Sequence, residues 1–219
     1  MSTFAQLRDR GEDPIAIFER LFRAALESLL PDLADAPWYV RERDVVNLFV
    51  FGHLVPQFQA KQLDVSQMGI EVPFQVLPEN APDAKPEVNA DIVVWLHNKA
   101  TAWRTCKPLA RIEWKNISCR EQRISDLHRQ HDDDIRRVRR NEQLASLNYA
   151  VLTARQNKRV ELWCKRIADG TEQDFFPPLR CVATGDETVF APPYRQLLSR
   201  PQNCPDCTVP ACSRTAPSR

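Results

Sequence analysis

The chain has 219 residues, which is long enough for one domain with a substantial core and too short for two full-sized domains. Its formal net charge is +1, so a nucleic-acid surface would have to come from local clustering of basic residues. The five glycines lack phosphate-loop or dinucleotide-loop spacing, and no Gly-x-Ser-x-Gly or His-Glu-x-x-His motif occurs, which argues against nucleotide-cradling enzymes and two common hydrolase classes.

Two helices are predicted ahead of the first strand. Asp13-Pro14 looks like an N-cap followed by a first-turn proline, and apolar residues then recur at helical spacing to about residue 30, where Pro31 is expected to end the helix. This helix either covers the sheet of the same domain or binds a partner. A second helix is expected over Pro37–Val55, closed by Pro56, and central because its second half is apolar nearly all round.

Two short apolar runs follow, Ala90–Leu96 and Leu109–Trp114, each with the length and β-branched content of a buried strand. The polar segment between them lets the chain turn back, so we predict a hairpin. A first core strand is expected over Gly69–Leu77, and the proline-rich stretch 78–88 is typical of a surface loop.

Three charged residues interrupt this hairpin: Asp91, Glu113 and Lys115. Side chains alternate along a strand, so Glu113 and Lys115 share a face about 7 Å apart. If the hairpin is centred near Ala102, Asp91 lies opposite or nearly opposite Glu113. Two carboxylates in apolar strands repel each other and lose hydration, so a compensating cation is expected, and oxygen ligands of this kind suit Mg²⁺.

A long, mostly exposed helix with a narrow apolar stripe is predicted over about 121–146. Its arginines either contact a phosphate backbone or form i,i+4 pairs such as Asp132–Arg136 and Asp133–Arg137 on a solvated face, and both can hold at once. The arginines chosen as candidate nucleic-acid contacts are Arg129, Arg136, Arg137 and Arg140.

Two more strands are predicted over Asn148–Thr153 and Arg159–Ile167, the second nearer a sheet edge because its apolar residues alternate. The expected order is therefore helix, three strands, helix, strand, with one extra strand. The class is α/β, with a mixed central sheet flanked by helices.

Asp91, twenty-one intervening residues and then Glu113-Trp114-Lys115 resemble the signature of the PD-(D/E)xK nuclease superfamily, the fold of many restriction endonucleases. Asn89-Ala90 stands where that signature has a proline before the aspartate. The resemblance covers roughly 38–167 and implies a restriction-endonuclease-like core of order αβββαβ, here with an extra N-terminal helix. We expect one such domain over 1–200.

The resemblance also implies roles for residues. Asp91 and Glu113 would hold Mg²⁺ or Mn²⁺ with help from the main-chain carbonyl of Trp114, and Lys115 would orient the attacking water. Relatives often take an extra acid from the helix before the first core strand; Glu42 is the candidate. Four weaker candidates remain. Asp44 stands behind Glu42, and Gln130 could be the glutamine that some relatives carry near the site. Glu71 is either a further carboxylate of the site or part of an ion pair at the sheet edge, and His53 lies either near the site or in the core.

The implied function is a metal-dependent endonuclease acting on nucleic acid, most naturally double-stranded DNA, with a homodimer as one form that relatives take. The sequence does not decide between DNA and RNA. The alternative is a catalytically inactive module on the same fold that binds nucleic acid or protein.

The last stretch, 201–219, is typical of a flexible tail, and it contains Cys204, Cys207 and Cys212. Their spacing suits zinc, with Cys181 as a further ligand, or the cysteines simply fall in a flexible terminus. No apolar segment approaches the roughly 18 residues that span a bilayer, and the N-terminus lacks a signal-peptide core. We therefore expect a cytoplasmic protein without membrane contact, whose seven cysteines form no disulfides.

Overall fold

A seven-stranded sheet, antiparallel except for one parallel pair, organises the fold in the computed structural model, which describes residues 1–35, 41–74, 88–98, 106–118, 124–156 and 159–182. The strands are β1 Met68–Phe74, β2 Val88–Val94, β3 Ala110–Ser118, β4 Leu147–Gln156, β5 Arg159–Ala168, β6 Thr171–Asp174 and β7 Leu179–Val182. They lie in chain order from β1 to β6, and β7 pairs with β5. The mixed α/β class is therefore confirmed.

Five α-helices are found in the described part of the chain: α1 Phe4–Asp9, α2 Pro14–Asp35, α3 Glu42–Asn47, α4 Val55–Ala60 and α5 Ile124–Arg140. A π-helical segment, Leu48–Leu54, joins α3 to α4. Strand β4 is parallel to β3, and the connection between them contains α5, as a parallel neighbour requires a crossover.

The sheet is covered on both faces. On one face, Phe22 of α2 and Phe49 of the π-helical segment belong to the main core with Trp114 and Tyr149 of the sheet. On the other face, Ile135 and Val138 of α5 pack with β4 and β5. Strand β4 is consequently buried on both sides, which explains its nearly continuous apolar sequence.

The prediction that Pro31 ends the first long helix is wrong: α2 continues to Asp35. Proline inside a helix removes one hydrogen bond and costs about 3 kcal/mol. Beyond it Leu33 is buried, and burying a leucine side chain contributes about 1.5–3 kcal/mol. Since Leu30 on the preceding turn is buried too, packing in the main core outweighs the local preference.

Pro56 does not close the second helix either. The chain is helical from Glu42 to Ala60, and Val55 donates its N–H to the carbonyl of Val50, five residues back. The α-helical pattern restarts at Val55, so Pro56 falls in a first turn, where its missing N–H is not needed.

Elsewhere the boundaries shift by a few residues, and β1 to β5 each match a predicted strand. Helix α5 ends at Arg140 and is followed by a 3₁₀ turn, Glu142–Leu144, so the helix predicted to about 146 is shorter. Helix α1 and strands β6 and β7 were not predicted.

All described residues belong to one compact unit, Met1–Thr184. The tail predicted over 201–219, with its three cysteines, lies outside the described residues. Within the part of the chain that the structure describes, no helix is both long and apolar enough to cross a bilayer.

Candidate active site

Strands β2 and β3 separate at the predicted charged triad. Their pairing joins Ile92 to Ile112 and Val93 to Arg111, which is the register that the sequence analysis assumed. One further step along this register places Asp91 beside Glu113. The pairing ends there, while β3 continues to Ser118 alongside β4. We call this divergence of β2 and β3 the fork.

Two carboxylates take the place of the missing strand partner in the fork. Trp114 donates its backbone N–H to Oδ2 of Asp91 at 2.6 Å, and Asn116 donates its N–H to Oε2 of Glu42 at 3.2 Å. Backbone N–H groups two residues apart in a strand point to the same edge, so both acids are aimed into the fork. Glu42 opens α3, and this bond ties the helix to β3.

Lys115 lies on the open side of this arrangement. Its Nζ is 3.3 Å from Oε2 of Glu42, and the two side chains are 34% and 35% exposed. The lysine and the helix acid therefore form an ion pair that solvent can reach. The structure thus brings Asp91, Glu113, Lys115 and Glu42 together in one fork.

Glu113 is buried and already has two cationic partners. Arg111, two residues earlier on the same face of β3, donates to Oε1 from Nε and Nη2 at 3.1 and 2.7 Å. Arg137 of α5 donates to Oε2 at 2.8 Å. Burial raises the pKa of Glu113, and the two arginines act in the opposite direction.

Asp91 has a different environment. Burial, and then the charge of Glu113, raise the pKa of Asp91 to about 7, although the Trp114 N–H opposes this. Among the described residues, no lysine, arginine or histidine forms an ion pair with it. A partly buried carboxyl next to other acids favours a bound proton or a bound cation.

Asp134 of α5 is a further member of the site that the sequence analysis missed. Its Oδ1 lies 3.2 Å from Nη2 of Arg137, and its buried Oδ2 has no hydrogen-bond partner among the described residues. Arg137 also bonds Glu113, so Asp134 lies close to the fork. Burial raises the pKa of Asp134, while Arg137 and Lys115 act in the opposite direction.

A signal for Asp134 was present in the sequence. Buried positions of α5 include His131, Ile135 and Val138, and position 134 falls on the same stripe at helical spacing. Among the described side chains, the ion pairs formed within this helix are the i,i+3 pairs Asp133–Arg136 and Asp134–Arg137. The i,i+4 pairs predicted for it are not found among the described residues.

Several of the other predicted residues that the structure describes do not join the site. Glu71 forms an ion pair with Arg43 at 3.1 Å and has a left-handed backbone (φ 50°) opposite Asp91 on β1, and Asp44 pairs with Arg41. His53 is a buried histidine; its Nδ1 lies 2.9 Å from Oγ of Ser28, and burial lowers its pKa. Arg140 is exposed. The side chains of Arg129 and Gln130, and residues Cys204, Cys207 and Cys212, lie outside the described part.

The fork offers few oxygen ligands for a hard cation. Within the described ranges, no cluster of three or more His, Cys, Asp or Glu residues is arranged to hold a metal ion. The pair Asp91 and Glu113 offers oxygen ligands only, and Mg²⁺ commonly takes one or two protein carboxylates. The lack of an ion-pair partner for Asp91 fits such an ion, whereas Glu113 would have to share Oε2 with Arg137.

No protein-family model, curated protein or solved structure matches the chain.

Proposed function

We propose that this protein is a divalent-metal-dependent nuclease that hydrolyses phosphodiester bonds, with double-stranded DNA as its substrate. The observation that carries the proposal is the fork, where Asp91, Glu113, Lys115 and Glu42 meet and Asp91 has no cationic partner among the described residues. The order of the central elements, with β4 parallel to β3 after a crossover helix, is that expected of the PD-(D/E)xK superfamily.

In this proposal Asp91 and Glu113 would hold Mg²⁺ or Mn²⁺. When bound, such an ion neutralises charge that develops on the phosphoryl group and lowers the pKa of a coordinated water. The N–H of Trp114 fixes the orientation of the Asp91 carboxylate. The buried indole of Trp114 donates to Oγ1 of Thr153 at 3.1 Å and so holds this part of β3 in place.

Lys115 would orient the attacking water and favour hydroxide through its positive charge. Its ammonium group is held beside Glu42, which itself is held by the Asn116 N–H. Glu42 is thus a positioning residue for the lysine, and it keeps the ammonium on the solvent-accessible side. A substrate phosphate can approach from that side because the lysine is about one-third exposed.

DNA contacts by the arginines of α5 compete with ion pairs inside the protein. Arg136 pairs with Asp133, and Arg139 pairs with Glu172 at 2.6 Å. Arg137 is half exposed and lies next to the fork, so it is the candidate best placed to meet a phosphate close to the scissile bond. We also propose that this cleavage takes place in the cytoplasm.

One observation favours the second candidate function, a non-catalytic binding module. Glu113 already has two arginine partners, so the acids could persist as an internal ion-pair network without a metal. In that case Arg137 and its neighbours on α5 would contact nucleic acid without cleaving it.

Incubation of the protein with supercoiled plasmid separates the two functions. We expect cutting with Mg²⁺ or Mn²⁺ and none with EDTA, and a loss of about 100-fold or more in Lys115→Ala because removing one electrostatic stabiliser has effects of this size. Lys165→Ala is the control, since Lys165 forms a partly exposed ion pair with Asp174 on β6. Equal cutting by Lys115→Ala would contradict the proposed role, and DNA binding without cutting by wild type would support the module.

A further inference from the structure

The two arginines that hold Glu113 differ in how easily they can leave. Arg111 is fully buried and makes two bonds to Oε1. Arg137 makes one bond to Oε2 from a side chain that is 49% exposed. Releasing Arg111 would leave a buried guanidinium without its carboxylate, which is costly, whereas Arg137 can return to water at little cost.

Arg137 also balances charge for the whole fork. Its guanidinium lies 2.8 Å from Oε2 of Glu113 and 3.2 Å from Oδ1 of Asp134. Among the described residues, the four carboxylates of the site, Glu42, Asp91, Glu113 and Asp134, otherwise face Arg111 and Lys115. With all four ionised and Arg137 absent, this leaves a formal charge of −2. A single divalent cation cancels that charge. With Arg137 still in place, the same cation would leave an excess of +1.

We propose that Arg137 is a displaceable counter-ion: it occupies Oε2 of Glu113 in the cation-free protein and leaves when a divalent cation binds between Asp91 and Glu113. The released guanidinium then contacts a phosphate of the nucleic acid. This inference rests on the proposed nuclease function and adds a coupling to it. Cation and nucleic acid each raise the affinity of the protein for the other, because such coupling is reciprocal.

Isothermal titration of the full chain with MnCl₂ tests the displacement without relying on cleavage. We expect Arg137→Gln to bind Mn²⁺ about 5- to 150-fold more tightly than wild type, the usual range of a coupling between two ligands. Arg136→Gln is the control, because Arg136 is the neighbouring arginine and pairs with Asp133 outside the fork. Its affinity for Mn²⁺ should match that of wild type.

Arg137→Lys keeps the positive charge and loses the planar guanidinium, so its affinity for Mn²⁺ should lie between those of wild type and Arg137→Gln. If Arg137→Gln does not fold, Arg137→Lys provides the same test through its tighter binding of Mn²⁺ relative to wild type. In a Lys115→Ala background, which slows cutting, fluorescence anisotropy of a labelled duplex should show that Mn²⁺ strengthens DNA binding when Arg137 is present. The effect of Mn²⁺ should be much smaller in Arg137→Gln.

The outcomes are distinguishable. If wild type binds Mn²⁺ and Arg137→Gln binds it equally or more weakly, the counter-ion role is overturned and the nuclease proposal stands. If neither binds Mn²⁺ and plasmid stays intact, both proposals fall. If only Arg137→Gln binds Mn²⁺, Arg137 blocks the site under the conditions used, which supports the counter-ion role.

Discussion

Ionisation of Asp91 destabilises the folded protein, so the contribution of this residue to stability depends on pH. Its pKa is raised to about 7 in the folded protein by burial and by Glu113, against an ordinary value of 3.8. Between these values the folded state holds the proton more often than the unfolded state does. The free energy of unfolding should therefore fall as the pH rises through this window.

Asp91→Asn tests this effect in EDTA, because asparagine keeps an acceptor for the Trp114 N–H and carries no charge. At about pH 8 we expect the variant to be more stable than wild type, by on the order of 1–3 kcal/mol, and the gain should vanish at about pH 4. Urea unfolding at both pH values measures it.

Asp64 is the matched control with the opposite sign. Hydrogen bonds from Ser66 lower its pKa, so its ionised form stabilises the folded state. Asp64→Asn should lose stability at about pH 8 and little at about pH 3. A gain for Asp91→Asn that is the same at both pH values would show that removing the buried negative charge is not the cause.

At the scale of the elements, the interior proline of α2 is a local cost that burial outweighs. Pro31 is exposed, and its neighbours Leu30 and Leu33 are buried, so replacing the proline loses no core packing. Pro31→Ala should restore one helical hydrogen bond and raise the free energy of unfolding by about 1–3 kcal/mol. Pro14→Ala, in the first turn of the same helix, should change it by under about 0.5 kcal/mol. Equal effects in urea unfolding would contradict this account.

The hairpin could be predicted because its information is local. Two β-branched runs at a fixed separation define a midpoint, and the midpoint sets the register that brings Asp91 to Glu113. Strands β6 and β7 could not be predicted in this way. All four residues of β6 are exposed, so β6 shows no apolar alternation in the sequence. Both β6 and β7 are strands because they pair with β5.

The charged partners in the site depend on tertiary packing and were harder to predict. Nothing in the spacing of α5 specifies that Arg137 reaches Glu113 on β3, since the phase of the helix relative to β3 follows from Ile135 and Val138 packing on β4 and β5. The ion pair between Glu42 and Lys115 was equally hard to predict, because it forms only where packing brings the start of α3 to the fork.

At the scale of the whole molecule, the fork is assembled from three layers. Glu42 comes from the helical layer on one face of the sheet, the sheet supplies Asp91, Glu113 and Lys115, and Arg137 comes from α5 on the other face. The helical layer meets the sheet at Trp114, whose ring centroid is 4.9 Å from that of Phe49. Packing between layers should therefore control the position of Glu42.

Phe49→Ala and Phe58→Ala separate this control from general stability. Both side chains are fully buried, Phe49 beside Trp114 and Phe58 beside Phe4 of α1. Each substitution should lower the free energy of unfolding by about 3–5 kcal/mol, as large-to-small changes of phenylalanine do.

Only Phe49→Ala should loosen α3, the helix that begins at Glu42. The backbone N–H of Asn116 donates a hydrogen bond to Glu42, so it should exchange with solvent faster in Phe49→Ala than in Phe58→Ala. Native-state hydrogen exchange, with the two variants compared at equal free energy of unfolding by adjusting urea, measures the difference. Equal exchange at Asn116 in both variants would mean that the Phe49–Trp114 contact stabilises the fold without positioning the acid, and that the fork keeps its geometry independently of the helical layer.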